Sequence, residues 1–362
     1  MIPLARPQFG DAEVDAVAEV LRSGMLVSGP RVARFEAAVA ERCGRAHGVA
    51  VSSGTSALEL ALQALDIGRQ DQVVVPALTW PSPAHAVISR GATPVLVDVD
   101  PAEWNASGDV YVAACNDRTR AAIVIDQLGN PARRGELEPA LAGLPVVEDA
   151  ACAIGSLFDD GRPCGSLGVV SCLSFHPRKI LATGEGGMCL TDDEGLAERI
   201  RVLRNHGQAG PGDFRAPAGN HRMPEMAAAL GLVQLGRLDV MLADRRRVAE
   251  RYHAQLGGLP LSFQRTPDRA TANHQTFGVV LEGDAPPRDA VVDALAHRGV
   301  QAGRLSHVLS RVGPVAARSL VSVNPVHAER IADRGLALPV YEGMTDAEQK
   351  QVIDALKEVI HP

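Results

Sequence analysis

Apolar and polar positions change rhythm twice along this chain. From Asp11 to Arg22 the apolar residues Val14, Val17, Val20 and Leu21 recur at helical spacing. The turn-rich stretch Ser23-Gly24-Met25-Leu26-Val27-Ser28-Gly29-Pro30 follows, and a second helix is predicted from about Val32 to Arg42. Short apolar runs then take over, predicting strands at 47–51, 72–76, 94–97, 121–126, 145–149, 169–175 and 187–191. Helical segments separate several of them, at 56–65, 83–90 and 136–141. Strands that alternate with helices need crossover connections, which predicts an α/β fold with a mostly parallel sheet covered on both faces. Ligands of such sheets gather beyond the carboxyl ends of the strands.

After Asp193 the pattern turns helical, at 196–204, 224–235 and in a long amphipathic segment over 238–256 that Gly257-Gly258-Leu259-Pro260 breaks. A strand at 277–281 and helices at 289–298 and 345–360 then predict a smaller α/β unit. At 362 residues the chain suggests two domains, given about 150 residues each. The expected division is 1–240, with the N-terminal helices and a seven-stranded sheet, and 241–362, with the boundary inside the connecting helix.

Composition narrows the partners. The net charge of −7 and the absence of a basic run give no electrostatic footprint for nucleic acid or membrane. No apolar run approaches the ~20 residues that span a bilayer, and the first residues lack a signal-peptide core, so a cytoplasmic protein is expected. Six cysteines at irregular spacings, without a CxxC pair, argue against a structural zinc or a disulfide framework and read as reduced thiols; no metal is expected. The chain carries only three lysines, Lys179, Lys350 and Lys357, against thirty-three arginines. Arginine stays charged, whereas a desolvated lysine can become a nucleophilic amine that condenses with an aldehyde.

Lys179 lies in Ser174-Phe175-His176-Pro177-Arg178-Lys179, which runs on into Gly184-Glu185-Gly186-Gly187: a strand end, a turn presenting one amine, and a glycine-rich tail. Ser52-Ser53-Gly54-Thr55-Ser56 opens a helix after the first strand and reads either as a phosphate cradle or as a plain hydroxyl cap. Trp80 ends the next strand, as a stacking platform or as a core or interface residue. Val146-Val147-Glu148-Asp149 is an apolar run ending in two acids, and alternation turns one of them toward the ligand side. Ser174 adds a hydroxyl that can serve the same phosphate. A phosphate cradle, a stacking aromatic, a strand-end acid and a Schiff-base lysine together match pyridoxal 5′-phosphate.

In this order and spacing the chain resembles the DegT/DnrJ/StrS family of pyridoxal-phosphate-dependent sugar aminotransferases. The likeness extends through Arg204-Asn205-His206-Gly207, Gly219-Asn220-His221-Arg222-Met223 and Leu338-Pro339-Val340-Tyr341. It implies a large domain of the aspartate-aminotransferase type (fold type I) with a small C-terminal domain, and a homodimer with sites at the subunit interface. Carried over by position, Lys179 is the Schiff-base lysine, Trp80 stacks on the ring and Asp149 partners the pyridine nitrogen. Gly54, Thr55, Ser56 and Ser174 contact the phosphate, and Asn220 contacts it from the neighbouring subunit. Where the family usually has Gln or His beside the cofactor, this chain has Cys152, a weak hydrogen-bond partner or simply a small buried thiol. Family dehydratases carry histidine in place of the lysine; the lysine here implies transamination.

The expected reaction moves an amino group from glutamate or glutamine to a ketone on a nucleotide-linked sugar or a cyclitol, in amino-sugar or antibiotic-type biosynthesis. The rival expectations are elimination or replacement on the same fold, and a non-catalytic sensor. The acceptor loops are expected around Gln208–Ala218 and Gly303–Arg318.

Overall fold

The computed structural model describes residues 1–360. Seven strands appear where apolar runs predict them: β1 (His47–Val51), β2 (Gln72–Pro76), β3 (Thr93–Val97), β4 (Thr119–Ile125), β5 (Val146–Asp149), β6 (Val170–Ser174) and β7 (Gly187–Thr191). They lie side by side in the order β1-β7-β6-β5-β4-β2-β3. β2, β3, β4, β5 and β6 run parallel, whereas β7 is antiparallel to both β1 and β6. The sheet has an eighth strand that the seven-stranded expectation omits. It is Leu320–Val321, parallel to β3 at the edge. Two residues are too short for any periodicity to mark.

Alternation along the strands sorts their side chains into two cores, one on each face. Val49, Val51, Val73, Val75, Ile123, Ile125 and Val147 fill one. Ala50, Val74, Ala122, Val124, Val146 and Leu173 fill the other, with Phe35 and Phe175. Burial on both faces is what continuous β-branched runs require of a parallel sheet.

The helix after β1 begins at Gly54, two residues ahead of its expected start, because the Ser53 hydroxyl caps it by accepting from the Ser56 amide at 3.1 Å. Helices at Gly108–Ala114 and Val326–Arg334 were not expected. A second sheet pairs Leu261–Phe263, Phe277–Leu281, Gly335–Leu338 and Gly303–Arg304, all antiparallel. Its apolar residues form a third core with Val291, Leu295, Val352 and Leu356 from two helices, and with Ile2 from the chain start. The helix Leu238–Leu256 serves two cores: Leu238, Met241 and Leu242 pack beneath the large sheet, Val248, Ala249, Tyr252 and Leu256 against the small one.

Candidate active site

β5 ends in two carboxylates that alternation sends to opposite faces. Glu148, fully buried, accepts from the Gly165 amide at 2.7 Å, the Leu167 amide at 2.8 Å and the Ser171 hydroxyl at 2.5 Å. Three donors thus hold it, and the buried Asp126 carboxyl lies against it as well. Asp149, 7% exposed, accepts only from the Ala151 amide, at 3.1 Å. Burial pushes its carboxyl up to about 6; the charge of Lys179 and the Ala151 amide oppose that rise and the charge of Glu148 adds to it. Asp149 is therefore the acid that faces the lysine, and Glu148 is structural.

Lys179 stands on a turn just past β6. Its backbone amide donates to the His176 carbonyl at 2.8 Å, and the Arg178 amide donates to His176 Nδ1 at 3.2 Å, so His176 holds the turn. The Arg178 carbonyl accepts from Gln275 Nε2 at 2.8 Å, and the Gln275 carbonyl accepts from the buried Arg245 at 3.1 Å. The lysine amine donates to Cys152 Sγ at 2.9 Å. The Cys152 carbonyl in turn accepts from Asn273 Nδ2 at 2.8 Å. One segment, Asn273 to Gln275, thus clamps the backbone on both sides of the site.

The cradle is assembled from backbone that only glycine allows to approach. A Cβ on Gly54 would lie 2.8 Å from that of Ser174, and one on Gly187 would lie 2.3 Å from the Ser53 carbonyl oxygen. The helix start and the end of β6 are thereby pressed together. The first amides of a helix have no partner within it, and the Ser53 cap takes only that of Ser56, which leaves the Gly54 and Thr55 amides without a partner among the described hydrogen bonds. Thr55 Oγ1 lies 2.8 Å from Ser82 Oγ. The Ser56 hydroxyl is already engaged, 3.0 Å from both Ser52 and Ser53 and 3.3 Å from His221 Nδ1.

Trp80 is 64% exposed, with His307 edge-on at 5.2 Å between ring centroids. The strand pair Thr79↔His307 sets that contact. Asn220 is exposed, on a segment whose neighbour Arg222 bridges Val51 at the end of β1. The structure brings Lys179, Cys152 and Asp149 together, and Gly54 with Ser174; Asn220 makes no contact with that group among the described hydrogen bonds. Ser82, His307, Asn273 and Gln275 carry no motif, and only Ser82, near Trp80, had any local signal.

The residues fit pyridoxal phosphate: an amine for its aldehyde, a buried acid with open lone pairs for its ring nitrogen, a largely exposed indole, and unpaired helix-terminal amides beside hydroxyls for its phosphate. Fold and site together define a pyridoxal-phosphate-dependent transferase of the aspartate-aminotransferase type.

The family model for the DegT/DnrJ/EryC1/StrS aminotransferase family matches residues 7–357. A GDP-perosamine synthase from Caulobacter vibrioides is 35% identical over 99% of this chain and 98% of its own. The solved structure of the aminotransferase TlmJ from Streptoalloteichus hindustanus has 36% identity and a TM-score of 0.90, covering 99% of this chain and 98% of that one. Spr1654 from Streptococcus pneumoniae, solved in its PLP form, superposes with a TM-score of 0.93 at 25% identity, over 99% and 98% of the two chains. This chain belongs to the DegT/DnrJ/EryC1/StrS aminotransferase family. It is a pyridoxal-phosphate-dependent aminotransferase.

Proposed function

We infer that the protein transfers the amino group of glutamate or glutamine to a ketone on a sugar, nucleotide-linked as in the synthase it resembles, with a keto-cyclitol as the other acceptor class. The observation that carries this reading is that Lys179 and the buried Asp149 converge past the ends of two adjacent parallel strands, near enough for the lysine's charge to hold down the acid's pKa. The near full-length likeness to a GDP-perosamine synthase points it to sugars. When bound, pyridoxal phosphate supplies an aldehyde that exchanges with amines and a ring that takes up the electron pair of a broken C–H bond. Lys179 is the residue that would hold the group through its amine, and the same amine, when free, is placed to carry a proton to or from the donor's α-carbon. Asp149 would pair with the ring nitrogen and favour its protonated form. Gly54, Thr55 and Ser174, with the neighbouring Ser56, orient the phosphate, Trp80 covers one ring face and excludes water, and Cys152 borders the lysine.

Trp80 and Asn220 are exposed in one chain, which supports a homodimer with shared sites. Met25, Leu26 and Val27 are exposed apolar residues, and Val27 bridges Pro224, four residues past Asn220. That arrangement suits Asn220 reaching the phosphate of the neighbouring copy. The six free cysteines suit a reducing, cytoplasmic setting; among the described residues no single helix is long and apolar enough to cross a membrane. The same reading divides the chain into a large unit to residue 240 and a small one beyond it, from which Leu320–Val321 crosses back to the edge of the large sheet.

The test is release of the donor's 2-oxo acid and a new C–N bond in the acceptor, measured over nucleotide-linked keto sugars and keto-cyclitols with glutamate and glutamine. Stoichiometric oxo acid and amino sugar is the expected result. An acceptor that loses a hydroxyl without gaining nitrogen would move the chemistry to elimination.

A further inference from the structure

Cys152 differs from the other five cysteines in its surroundings. Cys43, Cys164, Cys172 and Cys189 are at most 1% exposed, and Cys115 is on the surface; Cys152 is half-buried beside the site. With only three lysines in the chain, an amine next to a thiol is improbable by composition alone. Lys350 is paired with Asp354, and Lys357 shares its helix. Lys179 Nζ nevertheless lies 2.9 Å from Cys152 Sγ.

Backbone on both sides holds the pair in place. Asn273 binds the Cys152 carbonyl at 2.8 Å and Gln275 binds the Arg178 carbonyl, next to the lysine, at 2.8 Å. The Asn273 amide itself donates to the Ser156 hydroxyl at 3.1 Å, and Arg245 anchors Gln275 from behind. Sulfur and nitrogen are thus kept at reaction distance, the condition under which an intramolecular step gains most over a bimolecular one.

We propose that Cys152 and Lys179 form an oxidative modification site, in which peroxide links the two side chains by a reversible S–N bond. In the first step the sulfur attacks hydrogen peroxide, the O–O bond breaks, and the products are a sulfenic acid and water. In the second the neutral amine of Lys179 attacks the sulfur. The S–N bond forms, the S–O bond breaks, and the departing hydroxide takes the proton from nitrogen to leave as water. Sulfur is oxidised by two electrons, peroxide is reduced to water, and the protein ends two hydrogens lighter. A thiol reverses the link by attacking sulfur, releasing the amine, and a second thiol frees Cys152 with formation of a small disulfide. Resting on the reading of Lys179 as the cofactor lysine, the link withdraws the one amine that anchors the cofactor.

The experiment treats the full chain with hydrogen peroxide, with and without bound pyridoxal phosphate, and maps the peptides by mass before and after a thiol reductant. The expected result is a joined pair of the Cys152 and Lys179 peptides, two hydrogens lighter than their sum. It should be suppressed by bound cofactor, reversed by the reductant, and missing from Cys152→Ala, Cys152→Ser and Lys179→Arg. Cys152 recovered with added oxygens and no joined Lys179 peptide would overturn the proposal. A joined peptide persisting in both Cys152 variants would do the same. The cofactor's visible band in the untreated protein is a separate readout. Its absence would sink the cofactor assignment and leave the peptide result standing.

Discussion

Glu148 and Asp149 are successive residues on one strand, and the two sides of the sheet treat them differently. Beneath the sheet, three donors surround Glu148 and take up most of its bonding capacity. Above it, Asp149 has one amide partner, a lysine nearby and a carboxyl held at about 6 by burial. A carboxylate that holds a fold together is saturated by it, whereas one that serves a ligand is buried with part of its bonding capacity left open. The cost of that openness appears in its raised pKa.

The strongest way to break this comparison is at the group Asp149 faces. Lys179→Ala should fold and show no turnover above background, since no other lysine lies in the large sheet's part of the chain. Circular dichroism beside a 2-oxo acid assay checks it, and appreciable turnover would remove the lysine from its role. Next, the two acids should fail in opposite ways. Asp149→Ala should lower kcat by roughly 10²–10³-fold while the fold near pH 7 stays at least as stable as wild type, since the variant carries no buried charge. Glu148→Ala strands three buried donors and should cost about 3–5 kcal/mol of stability, read by denaturant titration. If the two variants lose the same quantity, the division of labour is wrong.

The smallest effect concerns pH. In the cofactor-free protein the Asp149 carboxyl keeps its proton up to about 6, against an ordinary 3.8. Its contribution to stability is therefore full below about 3.8 and is lost as pH rises through 6. Asp149→Asn cannot ionise, so its melting temperature should gain on wild type as pH climbs from about 4 to about 7. The difference should approach the order of 3 kcal/mol. Parallel melting curves across that range would mean that Asp149 is not desolvated as described.

Much of the site was legible because its parts sit at strand ends, and strands with continuous apolar runs announce where they stop. Lys179 stood out by chemistry in an arginine-rich chain, and Asp149 by closing the run Val146-Val147. Alternation alone left both acids open, since it sets them on opposite faces without saying which face is the ligand's. The clamps were invisible for a different reason. Asn273 reaches Cys152 and Gln275 reaches Arg178 across about a hundred residues of chain, and nothing in the local pattern near 273–275 marks those contacts. His307 against Trp80 is likewise a product of tertiary pairing. The likeness to the family supplied roles for residues such as Asn220 that the folded chain leaves exposed.

The helix Leu238–Leu256 lends one turn after another to two different cores. The joint between the large and small sheets is consequently a stiff rod anchored at both ends, and any rocking of one sheet on the other has to bend hydrogen-bonded backbone. Any difference in shape that the chain accommodates therefore has to be taken up in its connecting segments, where exchange of a few side chains leaves the frame undisturbed.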